Sequence, residues 1–207
     1  MRRLFIVGDS ISIQYGPYLK KIVEGRFHYD RKRGEAEALA DLDNPVGANG
    51  GDSSMVLQYL TSEQSKGVRY DVLLVNCGLH AIKTNPHTGA KQIPLEQYRN
   101  HVQNIVHIAK EMAQHFIWIR TTDAVEQVHN RTYSSFLRFH DDVVAYNAVA
   151  DEVMSSNTVP TIDLYTFTQA FGVDAYCDHV HYTEEVRQLQ AAYIAGCLDS
   201  LIDRRDS

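Results

Sequence analysis

The chain predicts an α/β fold of three layers, α/β/α, with a central parallel sheet of about five strands, and three observations carry that expectation. Leu4-Phe5-Ile6-Val7 and Val72-Leu73-Leu74-Val75 are unbroken apolar runs with β-branched or aromatic members, and strands of that kind are buried on both faces, as parallel sheets require. Each run stops at a polar, turn-forming segment, Gly8-Asp9-Ser10 or Asn76-Cys77-Gly78. Stretches of helical periodicity separate the strands, which is the pattern of right-handed βαβ crossovers.

The elements follow in order. After the first strand, Asp9 and Ser10 suit turn and N-cap positions, and Tyr18, Leu19, Ile22 and Val23 recur at helical spacing up to Gly25. Phe27 and Tyr29 alternate as in a short strand, while residues 31–43 are polar without a clean period and read as a surface excursion. Gly47-Ala48-Asn49-Gly50-Gly51-Asp52-Ser53-Ser54 forms turns and leads into a helix marked by Met55, Val56, Tyr59 and Leu60. The second buried strand covers 70–75, and 83–94 reads as a long loop.

Leu95, Tyr98, Val102, Ile105, Ala109 and Met112 predict a helix over 94–114, with Pro94 in its first turn. A third strand spans 116–119, an irregular stretch runs over 122–139, and Val143, Tyr146, Ala150 and Val153 mark a helix over 140–156. A fourth clear strand is expected at 161–164 after Pro160, then a polar loop over 174–183. The last helix is capped at Thr183, with Val186, Leu189, Tyr193, Cys197 and Leu201 on one face.

The 207 residues, 44% of them apolar, suffice for one large core, and no linker-like stretch divides them, so a single domain over 1–207 is expected. A net charge of −6 with one short basic cluster, Arg31-Lys32-Arg33, gives no footprint for nucleic acid. Three cysteines, Cys77, Cys177 and Cys197, form no even framework, as in a reducing compartment, and read as core or pocket thiols. The first apolar run is too short for a signal core or a membrane span. A soluble, cytoplasmic protein without membrane partners is the expectation.

Ser10 is the candidate nucleophile, because it follows the carboxyl end of a central strand, where open α/β sheets place their ligand crevice. Two plainer readings compete: a helix cap, and a phosphate site at a helix N-terminus. A nucleophilic serine needs a base and an orienting group. Asp178-His179-Val180-His181 offers both, with a carboxylate three residues before an imidazole in the loop entering the final helix. His179 and His181 lack a third ligand that would fix a metal, so no metal or cofactor is expected. Gly50 and Gly51 bring backbone N–H groups to a helix N-terminus, where they serve an oxyanion or a plain turn.

Together, I-V-G-D-S-I-S, G-A-N-G-G-D-S-S, N-C-G-L-H and D-H-V-H-Y-T resemble the SGNH (GDSL) hydrolases in order, spacing and chain length. The resemblance implies a flavodoxin-like sheet, Ser10 as nucleophile, His181 as general base and then acid, and Asp178 as its orienter. It also implies an oxyanion hole from the Ser10 N–H and Gly51, in preference to Gly50, with Asp9 grouped among the oxyanion and substrate-binding residues. One block departs from the family: where most members carry Gly-x-Asn-Asp, this chain has Gly78-Leu79-His80-Ala81, so His80 replaces the Asn donor. A G-L-H block resembles a carbohydrate-associated branch. The implied activity is removal of small acyl groups such as acetyl from a saccharide or other small ester, with Tyr15, Trp118, Tyr176 and Tyr182 as aromatic faces. A lipid or thioester acylhydrolase and a catalytically impaired binding module are the alternatives.

Overall fold

A computed structural model describes residues 1–132 and 135–203. Five parallel strands, β1 (Arg2–Val7), β2 (Phe27–Arg31), β3 (Tyr70–Val75), β4 (Ala113–Ile119) and β5 (Thr161–Ile162), lie in the order β2-β1-β3-β4-β5. Registers such as Leu4 opposite Val72 and Val75 opposite Trp118 place the two apolar runs side by side at the centre. Leu4, Val7, Val72, Leu73, Leu74 and Val75 are all fully buried, as strands covered on both faces must be.

The order fixes the layers. The chain steps one way from β1 to β2 and the other way for every later crossover, so right-handed connections put α1 (Ser10–Ile22) on one face and the later crossover helices on the other. α3 (Ser53–Ser65) packs on α4 (Leu95–Met112), which packs on α6 (His140–Ser156). On the opposite face α1 packs against α8 (Glu184–Asp203). The direction reverses between β1 and β3, and the carboxyl ends of those strands flank a crevice there.

Several expectations change. The excursion over 31–43 contains a short helix, α2 (Glu35–Ala40), whose Ala38 is fully buried; six residues are too few to show a period. β4 starts at Ala113, directly after α4, and β5 stops at Ile162 because Asp163 caps α7 (Leu164–Gln169). The stretch over 122–139 holds α5 (Glu126–Thr132), and the 83–94 loop pairs with it through Thr84 and Leu137. In α8 the buried face runs through Val186, Ala191, Ile194, Ala195, Leu198 and Ile202, and Leu189 is exposed. The small Ala191 and Ala195 permit close packing, which outweighs the larger residues of the expected stripe.

Candidate active site

The turn after β1 is built to expose one hydroxyl. A Cβ on Gly8 would come within 2.9 Å of the Ser12 side chain, and the Gly8 carbonyl accepts from Gly50 at 2.8 Å. Asp9 is the N-cap of α1, its Oδ1 accepting from the Ile11 N–H at 3.1 Å, and Ser12 Oγ donates to the Asp9 carbonyl at 2.7 Å. Buried Arg31, at the end of β2, braces the same turn by donating to the Ser12 carbonyl and hydroxyl. Ser10 is therefore the first helical residue, and its N–H has no intrahelical acceptor.

The Asp178-x-x-His181 segment folds upon itself. Asp178 Oδ1 accepts from the backbone N–H groups of Val180 at 2.8 Å and His181 at 2.7 Å, while Cys177 N–H closes the loop onto the His181 carbonyl. The other carboxylate oxygen, Oδ2, stands 2.7 Å from His181 Nδ1, and His181 Nε2 is 2.8 Å from Ser10 Oγ. Burial pushes the Asp178 carboxyl upward, but the His181 side-chain and backbone hydrogen bonds and that of Val180 outweigh it and hold it well below the usual carboxylate range. An ionised Asp178 fixes the proton on Nδ1, leaving the Nε2 lone pair for the Ser10 proton.

The β3 turn is held residue by residue. Asn76 donates to the Ile119 carbonyl at 3.0 Å, and Tyr98 of α4 donates to the Cys77 carbonyl at 2.7 Å. A Cβ on Gly78 would meet Thr121 Oγ1 at 2.1 Å, so this close approach requires glycine. His80 follows, 3% exposed, with Nδ1 buried and unpartnered. Burial first, then the positive charges of Lys83 and Arg138, hold its imidazole well below the usual range, so it is neutral at pH 7.

Two expected oxyanion groups are already occupied. The Gly51 N–H donates to Asn49 Oδ1 at 3.0 Å, inside an Asn side chain anchored in turn to the Leu42 carbonyl, and the Gly50 N–H is the one that meets Gly8. Asp9 faces inward: burial raises its carboxyl, and Oδ2 lies unpartnered in a cavity of about 10 Å³ with Tyr15 and Thr122. It caps a helix and does not line a substrate surface. Tyr15, Trp118 and Tyr182 are core residues, 1%, 0% and 0% exposed, and offer no face to a ligand. Tyr176 does line an open groove of about 460 Å³, with Asp123, His140 and Gln169. Cys77 is buried, whereas Cys177 is exposed.

Among the described residues, no group of three or more His, Cys, Asp or Glu is placed to hold a metal, and no helix is long and apolar enough to cross a membrane. Sequence reasoning missed Arg138 and Asp43. The signal for Arg138 was a charge set inside Phe136-Leu137-Arg138-Phe139, where an exposed loop would not place three large apolar residues.

The overall architecture matches solved structures across nearly the whole chain. The lipase/acylhydrolase from Enterococcus faecalis superposes with a TM-score of 0.73 at 17% identity, covering 97% of this chain and 96% of that one. The psychrotrophic esterase EstA from a Pseudoalteromonas species gives 0.68 at 10% identity over 98% and 100%. The C-terminal catalytic domain of Streptococcus pneumoniae peptidoglycan O-acetyltransferase A gives 0.63 at 14% over 98% and 94%. No protein-family model and no curated protein sequence matches the chain. The fold is that of the SGNH (GDSL) hydrolases.

Proposed function

We propose that the chain is a serine-dependent ester hydrolase, and the observation that carries this reading is the continuous Ser10–His181–Asp178 hydrogen-bond chain, with links of 2.8 and 2.7 Å. Ser10 Oγ bonds to the ester carbonyl carbon as its proton passes to His181 Nε2. Negative charge develops on the carbonyl oxygen, facing the Ser10 N–H and the neutral imidazole of His80. Collapse breaks the bond to the alcohol oxygen, which takes the proton from Nε2, and leaves an acyl-serine. Water then repeats the sequence with Nε2 as base, releasing the acid and restoring the hydroxyl.

A small acyl group such as acetyl, carried by a saccharide or another small ester, fits best. Ser10 and His181 are only 5% and 2% exposed, which favours a short acyl chain. Structures sharing the fold include an acylhydrolase, an esterase and an O-acetyltransferase domain. The test is hydrolysis of p-nitrophenyl acetate, butyrate and octanoate by the wild type and Ser10→Ala. Acetate is expected to exceed octanoate by about tenfold or more in kcat/KM, the scale on which a closed pocket rejects added methylenes. Activity surviving in Ser10→Ala would discard the serine mechanism, and a preference for octanoate would favour a lipid acylhydrolase. Binding of acetylated saccharides without turnover would favour a binding module.

A further inference from the structure

Arg138 is 2% exposed, among the largest fully buried side chains of the protein. Taking a guanidinium out of water is costly unless its N–H groups are engaged, so the groups that this one meets carry the argument. Arg138 belongs to neither the sheet nor a helix. It lies in the segment between α5 and α6, whose own Arg138 N–H is pinned to Asn130 Oδ1 at 3.0 Å.

Its fork reaches three separate loops. Nε donates to the Leu79 carbonyl at 3.0 Å, in the peptide that joins Leu79 to His80. Nη1 is 3.4 Å from Nε2 of His179, two residues before the general base and inside the turn that Asp178 closes. Nη1 is also 3.9 Å from Asp43 Oδ1, at the end of the excursion that carries α2, and Asp43 stands 3.6 Å from the same His179 nitrogen. The ring of Phe136 lies under the guanidinium at 5.0 Å, fixing its plane. A planar group with five donors in a rigid fork holds such partners in one fixed geometry, which a compact ammonium on a flexible stem does not reproduce.

We propose that Arg138 is a positioning residue for hydrolysis, registering the Leu79–His80 turn against the catalytic loop so that the His80 imidazole meets the oxyanion when Ser10 attacks. The proposal rests on the serine-hydrolase reading above. With the amides of Gly50 and Gly51 engaged elsewhere, the oxyanion side depends on the placement of His80, and Arg138 holds the peptide bond from which His80 projects. The other link, to His179, makes the oxyanion turn and the base-bearing loop share one anchor.

The experiment measures kcat and KM for p-nitrophenyl acetate, and the rate at which a fluorophosphonate labels Ser10, in wild type, Arg138→Lys and Arg138→Met. Ser10→Ala runs in parallel as the control for the underlying reading, and Val106→Ala, a remote core truncation in α4, as the control for lost stability alone. Arg138→Lys keeps the charge but not the fork. Its kcat is expected to fall about 10- to 100-fold, as when an oxyanion donor is displaced, with KM within about threefold and labelling slowed in proportion. Arg138→Met is expected to fall at least as far, and Val106→Ala to keep its kcat. The proposal is overturned if folded Arg138→Lys keeps kcat within about threefold of wild type, or if its loss lies in KM alone. Failure of Arg138→Met to fold leaves the decision with Arg138→Lys. A wild type that neither turns over nor labels, or a Ser10→Ala that does, would sink the serine-hydrolase reading and this proposal with it; a dead Ser10→Ala beside an unimpaired Arg138→Lys would sink this proposal only.

Discussion

The two sides of Ser10 are organised differently. On the proton-transfer side, His181 and Asp178 are joined by links of 2.8 and 2.7 Å, and Asp178 is satisfied by backbone groups only two and three residues away. On the oxyanion side, Gly50 and Gly51 spend their N–H groups on Gly8 and Asn49, His80 has a bare Nδ1, and placement depends on contacts from Tyr98 and Arg138. One side is thus a local, self-closing turn that is complete at rest. The other is assembled from distant segments and keeps unused hydrogen-bonding capacity for charge that exists only during reaction, which is where preorganised donors contribute most.

The comparison can be broken first at the shared atom. Ser10→Ala removes the bond-forming oxygen and is expected to lower kcat for p-nitrophenyl acetate by about 10⁴-fold or more, with any residue reporting only binding and the oxyanion side. Asp178→Asn comes next. The amide oxygen can still accept from Val180 and His181, so the turn survives, but the wrong tautomer of His181 is favoured and kcat should drop by about 10³- to 10⁴-fold. A loss smaller than about tenfold would mean that His181 is oriented by something other than Asp178. His80→Ala tests the opposite side and is expected to cost about 10²- to 10³-fold in kcat with KM little changed, while His80→Asn should recover much of it by restoring an amide donor. Equal kcat in wild type and His80→Ala would place the oxyanion on the Ser10 N–H and other groups.

The same division governs what could be read from the sequence. The central strands were legible because β1 and β3 are buried on both faces and need no periodicity argument, and the Asp178–His181 contact was legible because the two residues lie within one turn. Ser10 stood out only through a strand ending in Gly-Asp-Ser taken together with the late Asp-x-x-His, since the tripeptide alone also suits a helix cap. By contrast, the amides of Gly50 and Gly51 carry no side chain that announces their acceptors, so the bonds to Gly8 and Asn49 emerge only when β1 and the loop after α2 are placed together. Arg138 and Asp43 are 95 positions apart in number, by subtraction, and meet through His179 of a third segment. No local pattern records such a contact. The α8 face was misjudged because apolar residues lie on more than one side of the helix, and packing against α1 and α7 favours the side carrying the small Ala191 and Ala195.

The smallest expected effect is on stability, and it sharpens the contrast because the two sides lose it in different pH windows. Asp178 is held well below the ordinary carboxylate range by hydrogen bonds formed only in the folded chain, with burial opposing them. A depressed folded-state pKa contributes stability that is fully present above the unfolded value of about 3.9 and is lost as pH falls toward the folded value. The side chain is 43% exposed, so solvent and salt screen part of this contribution. Wild type should therefore melt above Asp178→Asn near neutral pH, and the gap in Tm should narrow as pH is lowered from about 5 to about 3, since the wild-type carboxylate loses its advantage while the amide does not titrate. His80→Ala should differ in its window: a folded-state imidazole held below its usual range contributes stability that is lost as pH falls below the unfolded value of about 6.5, so the wild type should lose ground to His80→Ala already between about pH 7 and pH 5, where the Asp178→Asn gap is still constant. A pH-independent gap for Asp178→Asn would mean that the carboxylate contributes through packing and backbone bonds that an amide reproduces, and not through its charge on His181.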